Sequence, residues 1–248
     1  MRLLLINPNT TESITDLVAA RARALAGPDV EVRAVSGRFG ARYIASRAAA
    51  AIAGHAALDA LAAHHDGCDA VLLACFGDPG LMALKEVSPV PVVGMAEASC
   101  HLACLFGRQF SIVTGGERWD PMLHEFVAGL GLSSRLAGIR TVAPTGAEIA
   151  ADPERAMALL AEGCRVCAEE DGAEAVILGG AGLAGLADRI GPDVPVPVIC
   201  SLEAGLRATV AAAGLQRSKA MSGSLARSSP VASTGLSDEL ARMLDPSF

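Results

Sequence analysis

The sequence predicts an α/β protein made of two pseudo-symmetric lobes, each a mostly parallel sheet flanked by helices. Short apolar segments alternate with Ala-rich helical stretches along the chain. Two sequence blocks from the first half recur in the second half in the same order. Hydrophobic residues make up 52% of the 248 residues and aromatic residues 3%, a composition typical of small α/β domains.

Strands are predicted where short apolar runs end in Gly, Asn, Asp or Thr. These segments are residues 2–7, 30–35, 70–75, 91–94, 109–114, 137–142, 174–179 and 196–200. The stretches between them show the amphipathic spacing of helices. Clear examples are residues 11–25, 47–64, 119–130 and 152–170. Strands that alternate with helices in this way pair in parallel, because each helix returns the chain to the same end of the sheet.

The internal repeat divides the chain in two. Residues 69–81 align without a gap with residues 174–186, and residues 91–98 align with residues 197–204 at nearly the same offset. Two blocks in common register favour a duplication, although any two βα units share an apolar strand and a Gly-rich turn. A duplicated pair is expected to place the carboxyl ends of its parallel strands around a shared cleft, which would hold the active site.

The repeat also sets the expected domains. Residues 1–96 together with 205–248 are expected to form the first α/β lobe, and residues 97–204 the second.

Charge and composition exclude several classes of function. The net charge of −7 argues against nucleic acid as a partner, because phosphate backbones are bound by clustered Lys and Arg. The apolar runs are shorter than the roughly 20 residues of a membrane-spanning helix, and no secretory signal is recognisable. We therefore expect a cytoplasmic protein with no membrane partner, whose seven cysteines stay reduced.

Cys75 is the candidate catalytic residue. It ends a predicted strand, and Asp78 and Pro79 are expected to act as N-cap and first residue of the next helix. A thiol at a helix N-terminus has a lowered pKa, and the neighbouring N–H groups can hold a carboxylate or enolate oxygen. These properties suit removal of a proton from a carbon beside a carbonyl group. A buried structural thiol is the alternative.

The other cysteines and the histidines give weaker signals. Cys164 and Cys167 have a CxxC spacing but lie in an Ala-rich helical pattern, which favours core packing over zinc or redox chemistry. Cys200 ends a predicted strand and is an auxiliary candidate for substrate contact. The five histidines show no metal-ligand spacing, so no metal is expected.

A glycine pattern at residues 180–185 formally matches a dinucleotide-binding fingerprint. The next strand ends in Cys200 and Ser201 instead of an acidic residue, and the repeat pairs this turn with the Cys75 turn. We therefore expect no nucleotide cofactor.

Candidate substrate-binding residues lie at strand ends and in adjoining loops. Asn9 follows the first strand, where its amide could face the cleft while Thr10 or Thr11 caps the next helix. Tyr43, the single tyrosine, could wall the pocket or pack in a surface loop. The remaining candidates flank Cys75 or occupy corresponding strand ends in the second half: Phe76, Gly77, Thr114, Gly115, Gly180 and Ala181.

Four segments, residues 7–10, 74–80, 91–98 and 110–114, resemble the aspartate/glutamate racemase superfamily, within it the hydantoin and allantoin racemase group. The resemblance covers about residues 1–215. It implies two α/β lobes, no cofactor, and two cysteines that exchange protons on opposite faces of a stereocentre. Cys75 matches the first cysteine. We expect a homo-oligomer that racemises or isomerises a small carboxylate or hydantoin-like or amino-acid-like substrate by Cys75 proton transfer.

The second cysteine of the family is absent, because its Gly-Cys-Ala-Gly turn is Gly-Gly-Ala-Gly at residues 179–182. Three outcomes follow. Cys200 or water could protonate the far face. The protein could be a single-cysteine decarboxylase of a malonate-type acid, as arylmalonate decarboxylase is, although that enzyme keeps the opposite cysteine. Catalysis could also be lost, which would leave a non-catalytic small-molecule binder.

Overall fold

A computed structural model of the chain describes residues 1–142, 149, 151–215, 219–226, 229–230 and 232–245. The described residues form two compact units. The first contains Met1–Ala74, Asp78–Gly94 and the described residues from Leu206 onward. The second contains Cys75–Gly77 and the described residues of Met95–Gly205.

The first unit is built on a four-stranded parallel sheet in the order β2-β1-β3-β4. Its strands are β1 (Arg2–Asn7), β2 (Glu31–Ser36), β3 (Ala70–Leu73) and β4 (Val92–Gly94). Its helices are α1 (Glu12–Ala26), α2 (Arg47–His64) and α3 (Leu81–Val87). The two central strands are buried along nearly their whole length, which explains why they read as continuous apolar runs instead of alternating patterns.

The second unit repeats this topology. Its parallel sheet has the order β6-β5-β7-β8, with strands β5 (Phe110–Val113), β6 (Leu136–Arg140), β7 (Ala175–Leu178) and β8 (Val198–Cys200). Its helices are α4 (Met95–Ala103), α5 (Trp119–Gly129), α6 (Pro153–Glu169) and α7 (Ala187–Ile190). The α/β class with two similar parallel sheets is thereby confirmed, and all eight predicted strands are present.

Two further helices lie in the described residues from 201 onward. Helix α8 (Ser201–Leu215) leads from the second unit into the first, and α9 (Asp238–Leu244) packs against α2. The hydroxyl of Ser237 caps α9 by accepting the N–H of Leu240 at 3.3 Å. Within the described ranges, no helix is both long and apolar enough to cross a membrane.

The predicted start of the helix after Cys75 is wrong. Helix α3 begins at Leu81, preceded by Gly80 in the left-handed conformation (φ 78°), and Asp78 has φ 46°. Long-range packing causes this delay, since a Cβ at Gly80 would lie 2.8 Å from the Cα of Gly54 on α2. Cys75 therefore lies in a turn several residues before the helix, too far from the helix N-terminus for the helix dipole to stabilise its thiolate.

Candidate active site

The strand order of the first sheet defines where a ligand would bind. The chain runs from β1 outward to β2 on one side and to β3 on the other, so the order reverses between β1 and β3. Ligands of open parallel sheets bind beyond the carboxyl ends of the strands at such a point. The N–H of Ala74 donates to the carbonyl of Ile6 at 2.8 Å, which holds the two strand ends together. The loop of Asn9 and the turn of Cys75 thus follow neighbouring strand ends.

The second sheet has the equivalent point between β5 and β7. Here the N–H of Gly179 donates to the carbonyl of Val113 at 2.9 Å. Thr114 and Gly115 follow β5, and Gly180 and Ala181 follow β7. Thr114 is buried, and its N–H donates to the carbonyl of Arg140 at 2.9 Å. The candidates of the second half therefore also lie at a reversal of strand order.

The turn that carries Cys75 packs within the second unit. The ring of Phe76 occupies the space beside Gly179, where an added Cβ would lie 2.6 Å from it. The indole of Trp119 lies against Gly77, which has φ 108° and leaves no room for a Cβ. Cys75 is 9% exposed, whereas Cys164 and Cys167 are fully buried. Side-chain packing on both sides thus fixes the backbone next to the thiol.

The glycine turn after β7 has its own constraints. Gly180 has φ 143°, a conformation that favours glycine, and its N–H donates to the hydroxyl of Ser201 at 3.2 Å. The nearest atoms to an added Cβ belong to Leu183, at 3.6 Å, so the side chain position is spatially open. Ala181 begins a short 3-10 turn, Ala181–Leu183.

Cys200 is the last residue of β8 and pairs with Leu178 in the sheet register. It is 7% exposed. The pairing places Cys200 at the same sheet edge as the Gly180 turn.

Asn9 is fixed by hydrogen bonds on both sides of its carbonyl oxygen. Its Oδ1 accepts from the N–H of Thr11 at 2.8 Å and from Nδ2 of Asn7 at 3.0 Å. The hydroxyl of Thr11 instead donates to the carbonyl of Arg42 at 2.8 Å, and α1 has no side-chain cap from Thr11 itself. Thr11 thus occupies the expected N-cap position of α1, but its hydroxyl holds the following loop instead of accepting a helix N–H.

Tyr43 lies in the loop between β2 and α2 and is 61% exposed. The same loop is anchored by Arg38, whose guanidinium donates two hydrogen bonds of 2.7 Å to the carboxylate of Asp59. That bonding lowers the pKa of Asp59, whose side chain is almost fully buried. The structure thus gives Tyr43 a surface position on a loop that is held firmly at its start.

Cys164 and Cys167 lie on the buried face of α6. Burial raises the pKa of Cys164 to about 12 and that of Cys167 to about 11. Both thiols are therefore protonated at neutral pH, which suits core packing. Within the part of the chain that the structure describes, no group of three or more His, Cys, Asp or Glu side chains is placed to hold a metal ion.

Three residues that the sequence did not single out hold the candidates in place. They are Asn7 beside Asn9, Trp119 against Gly77, and Ser201 bonded to Gly180. Asn7 and Ser201 each adjoin a strand end, a position that could have drawn attention to them. Nothing in the local sequence connects Trp119 to Gly77.

The fold and these strand ends define a class: a duplicated parallel α/β protein with a thiol at a reversal of strand order. Residues 3–209 match the Asp/Glu/hydantoin racemase family, and the chain belongs to that family. The family's racemases are isomerases.

Individual relatives agree with this assignment. The chain is 36% identical to a hydantoin racemase of Pseudomonas sp. (strain NS671) over 208 residues, which is 84% of each protein. It superposes on allantoin racemase from Pseudomonas fluorescens with a TM-score of 0.90 and 32% identity, covering 95% of this chain and 100% of that one. Arylmalonate decarboxylase shares the fold, with a TM-score of 0.62, 21% identity, and coverage of 86% and 93%.

Proposed function

We propose that the protein is a cofactor-independent racemase or isomerase of hydantoin-like or amino-acid-like substrates, and that Cys75 transfers the proton. The observation that carries this proposal is the position of Cys75, two residues after the end of β3, at the reversal of strand order in the first sheet. Membership of the racemase family supports it.

In the proposed reaction, the Cys75 thiolate removes the proton from the carbon beside a carbonyl group. The electron pair of the broken C–H bond moves into the carbonyl and gives an enolate, and the thiolate becomes a thiol. Reprotonation from the opposite face then gives the other enantiomer. Exchange with solvent removes the proton from Cys75 and returns one to the opposite donor, which restores both groups for the next turnover. Such a carbanion needs hydrogen-bond donors at the enolate oxygen, and the amide of Asn9 is our candidate.

Gly180 cannot supply the second proton, because it has no ionisable side chain and its N–H already donates to the hydroxyl of Ser201. We propose that Cys200 or a water molecule supplies it. Cys200 is the candidate thiol, because its pairing with Leu178 places it at the same edge of the second sheet as the Gly180 turn.

A single-thiol decarboxylase of a malonate-type acid is the second candidate. The specific observation in its favour is the absence of a side chain at Gly180, since departing CO₂ needs an apolar face and one proton is returned. A small-molecule binder without catalysis is the remaining outcome of the experiment.

Incubation in D₂O separates these functions. One enantiomer of 5-benzylhydantoin and, separately, phenylmalonate are followed by proton NMR and chiral chromatography against an enzyme-free control. A racemase places deuterium at C5 and produces both enantiomers. A decarboxylase releases CO₂ from phenylmalonate and places deuterium in the phenylacetate product. With an α-substituted phenylmalonate, it produces one labelled enantiomer of the α-substituted phenylacetate. Binding without either change would reject catalysis.

The proposal also includes a homo-oligomer that works in the cytoplasm on a small-molecule substrate. Sedimentation equilibrium of the purified protein measures the oligomer, and a mass equal to one 25.2 kDa chain would reject it.

A further inference from the structure

Two asparagine side chains at the end of β1 form a hydrogen-bonded pair. Asn7 is fully buried, and its Nδ2 donates to Oδ1 of Asn9 at 3.0 Å and to Oγ1 of Thr15 at 2.9 Å. Its own Oδ1 accepts the N–H of Asn9 at 3.3 Å. The hydroxyl of Thr15 lies 2.6 Å from that of Ser36, which joins the pair to β2.

This network determines which way each amide faces. The N–H of Thr11 can only donate, so the atom of Asn9 that faces it must be the carbonyl oxygen. The N–H of Asn9 can likewise only donate, so the oxygen of Asn7 faces Asn9's backbone and the NH₂ of Asn7 faces Asn9's side chain. Both lone pairs of the Asn9 oxygen are then used.

Asn9 therefore has only its NH₂ group left for a ligand. An NH₂ group donates to oxygen and cannot accept from an N–H. Hydantoin-like compounds present both carbonyl oxygens and N–H groups. In this orientation the Asn9 amide can bind their carbonyl oxygens but not their N–H groups.

We propose that Asn9 binds a carbonyl or carboxylate oxygen of the substrate through Nδ2, and that Asn7 is a positioning residue that keeps this donor outward. The inference rests on the proposed function for the position of the substrate. It goes beyond it by deriving from the hydrogen bonds that Asn9 can offer a ligand only donors, and by assigning Asn7 as the residue that fixes this orientation.

Asn9→Asp is the decisive variant. A carboxylate has the same shape and still accepts from Thr11 and Asn7, so the local structure is retained, but the donor to the ligand is replaced by an acceptor. We expect kcat/KM for 5-benzylhydantoin and the affinity for this compound in calorimetry to fall about tenfold or more, with an unchanged melting temperature. Ser13→Asp adds the same charge at an exposed position of α1 and should behave as wild type.

The role of Asn7 is tested by a double-mutant cycle. Asn7→Ser should lower kcat/KM in the wild-type background and have little further effect in the Asn9→Asp background. A purely structural role would lower both equally. Should Asn7→Ser fail to fold, Thr15→Val removes the hydroxyl that accepts from Asn7 and is expected to give the same dependence on Asn9.

An Asn9→Asp protein within twofold of wild type in both affinity and kcat/KM overturns the inference, and so does a wild-type protein that binds neither 5-benzylhydantoin nor phenylmalonate. The calorimetric readout keeps the two proposals separate. If binding depends on Asn9 but no exchange occurs at C5, the racemase proposal is rejected and the assignment of Asn9 as the hydrogen-bond donor is kept.

Discussion

The ring of Phe76 lies over Gly179, and a Cβ at Gly179 would be 2.6 Å from it. This contact joins the residue after Cys75 to the turn after β7, which the repeat identifies as its counterpart. The missing side chain at Gly179 is thus required by the packing of the Cys75 turn. Disturbing this contact is therefore expected to change the position of the Cys75 thiol.

Gly179→Ala should destabilise the protein by about 1–3 kcal/mol, because the added methyl group overlaps the Phe76 ring. The activity at Cys75 should fall with it. Denaturant unfolding and the rate of C5 exchange measure the two effects. Gly129→Ala is the matched control, since nothing lies within 4 Å of a Cβ there. Adding Phe76→Leu should restore part of the lost stability, and a double variant no more stable than Gly179→Ala alone would argue against the steric explanation.

Gly180→Cys should accelerate racemisation, because it restores a proton donor to the counterpart turn. The space is open, with Leu183 at 3.6 Å from the Cβ, but φ is 143°, so the variant should lose about 1–3 kcal/mol of stability. Chiral chromatography of 5-benzylhydantoin measures the rate. A folded variant with an unaltered rate would mean that this turn does not face the reacting carbon.

Asp59→Asn should lower stability at neutral pH by about 1–3 kcal/mol, because Arg38 loses its carboxylate partner. The pKa of Asp59 is lowered in the folded protein from its usual 3.8, chiefly by hydrogen bonding to Arg38. Its contribution is therefore present above pH 3.8 and is lost as the pH falls through the lower folded value. Thermal unfolding from pH 7 to 3 should show the gap between wild type and Asp59→Asn closing on acidification. Asp16→Asn, at an exposed position, should show no such gap at any pH.

Cys164 and Cys167 should resist alkylation in the native protein. Their pKa values, raised by burial to about 12 and about 11, leave almost no thiolate at pH 8, and both side chains are inaccessible. Iodoacetamide treatment at pH 8 followed by peptide mass spectrometry measures this. Rapid labelling of either thiol before unfolding would contradict its place in the core.

The eight strands were predictable because buried parallel strands are continuous apolar runs, and the repeat gave their grouping. The start of α3 was not predictable, because the residue before it, Gly80, packs closely against Gly54 on α2, which is distant in the sequence. A local N-cap pattern at Asp78 and Pro79 carries no information about that contact. The orientation of Asn9 was not predictable for the same reason. It depends on a hydrogen bond from Asn7 and on the Arg42 carbonyl, which accepts the hydrogen bond of the Thr11 hydroxyl.

The role of Cys75 is tested by C5 deuterium exchange of 5-benzylhydantoin in D₂O with Cys75→Ser. Serine keeps the size of the side chain, but its hydroxyl is a far weaker acid than a thiol and cannot serve as the base at neutral pH. We predict a loss of about 10³-fold or more with an unchanged melting temperature. Cys104→Ser, whose hydroxyl can still donate to the carbonyl of Cys100 as the thiol does at 3.3 Å, should exchange at the wild-type rate. Exchange by folded Cys75→Ser at the wild-type rate would show that Cys75 is not the base.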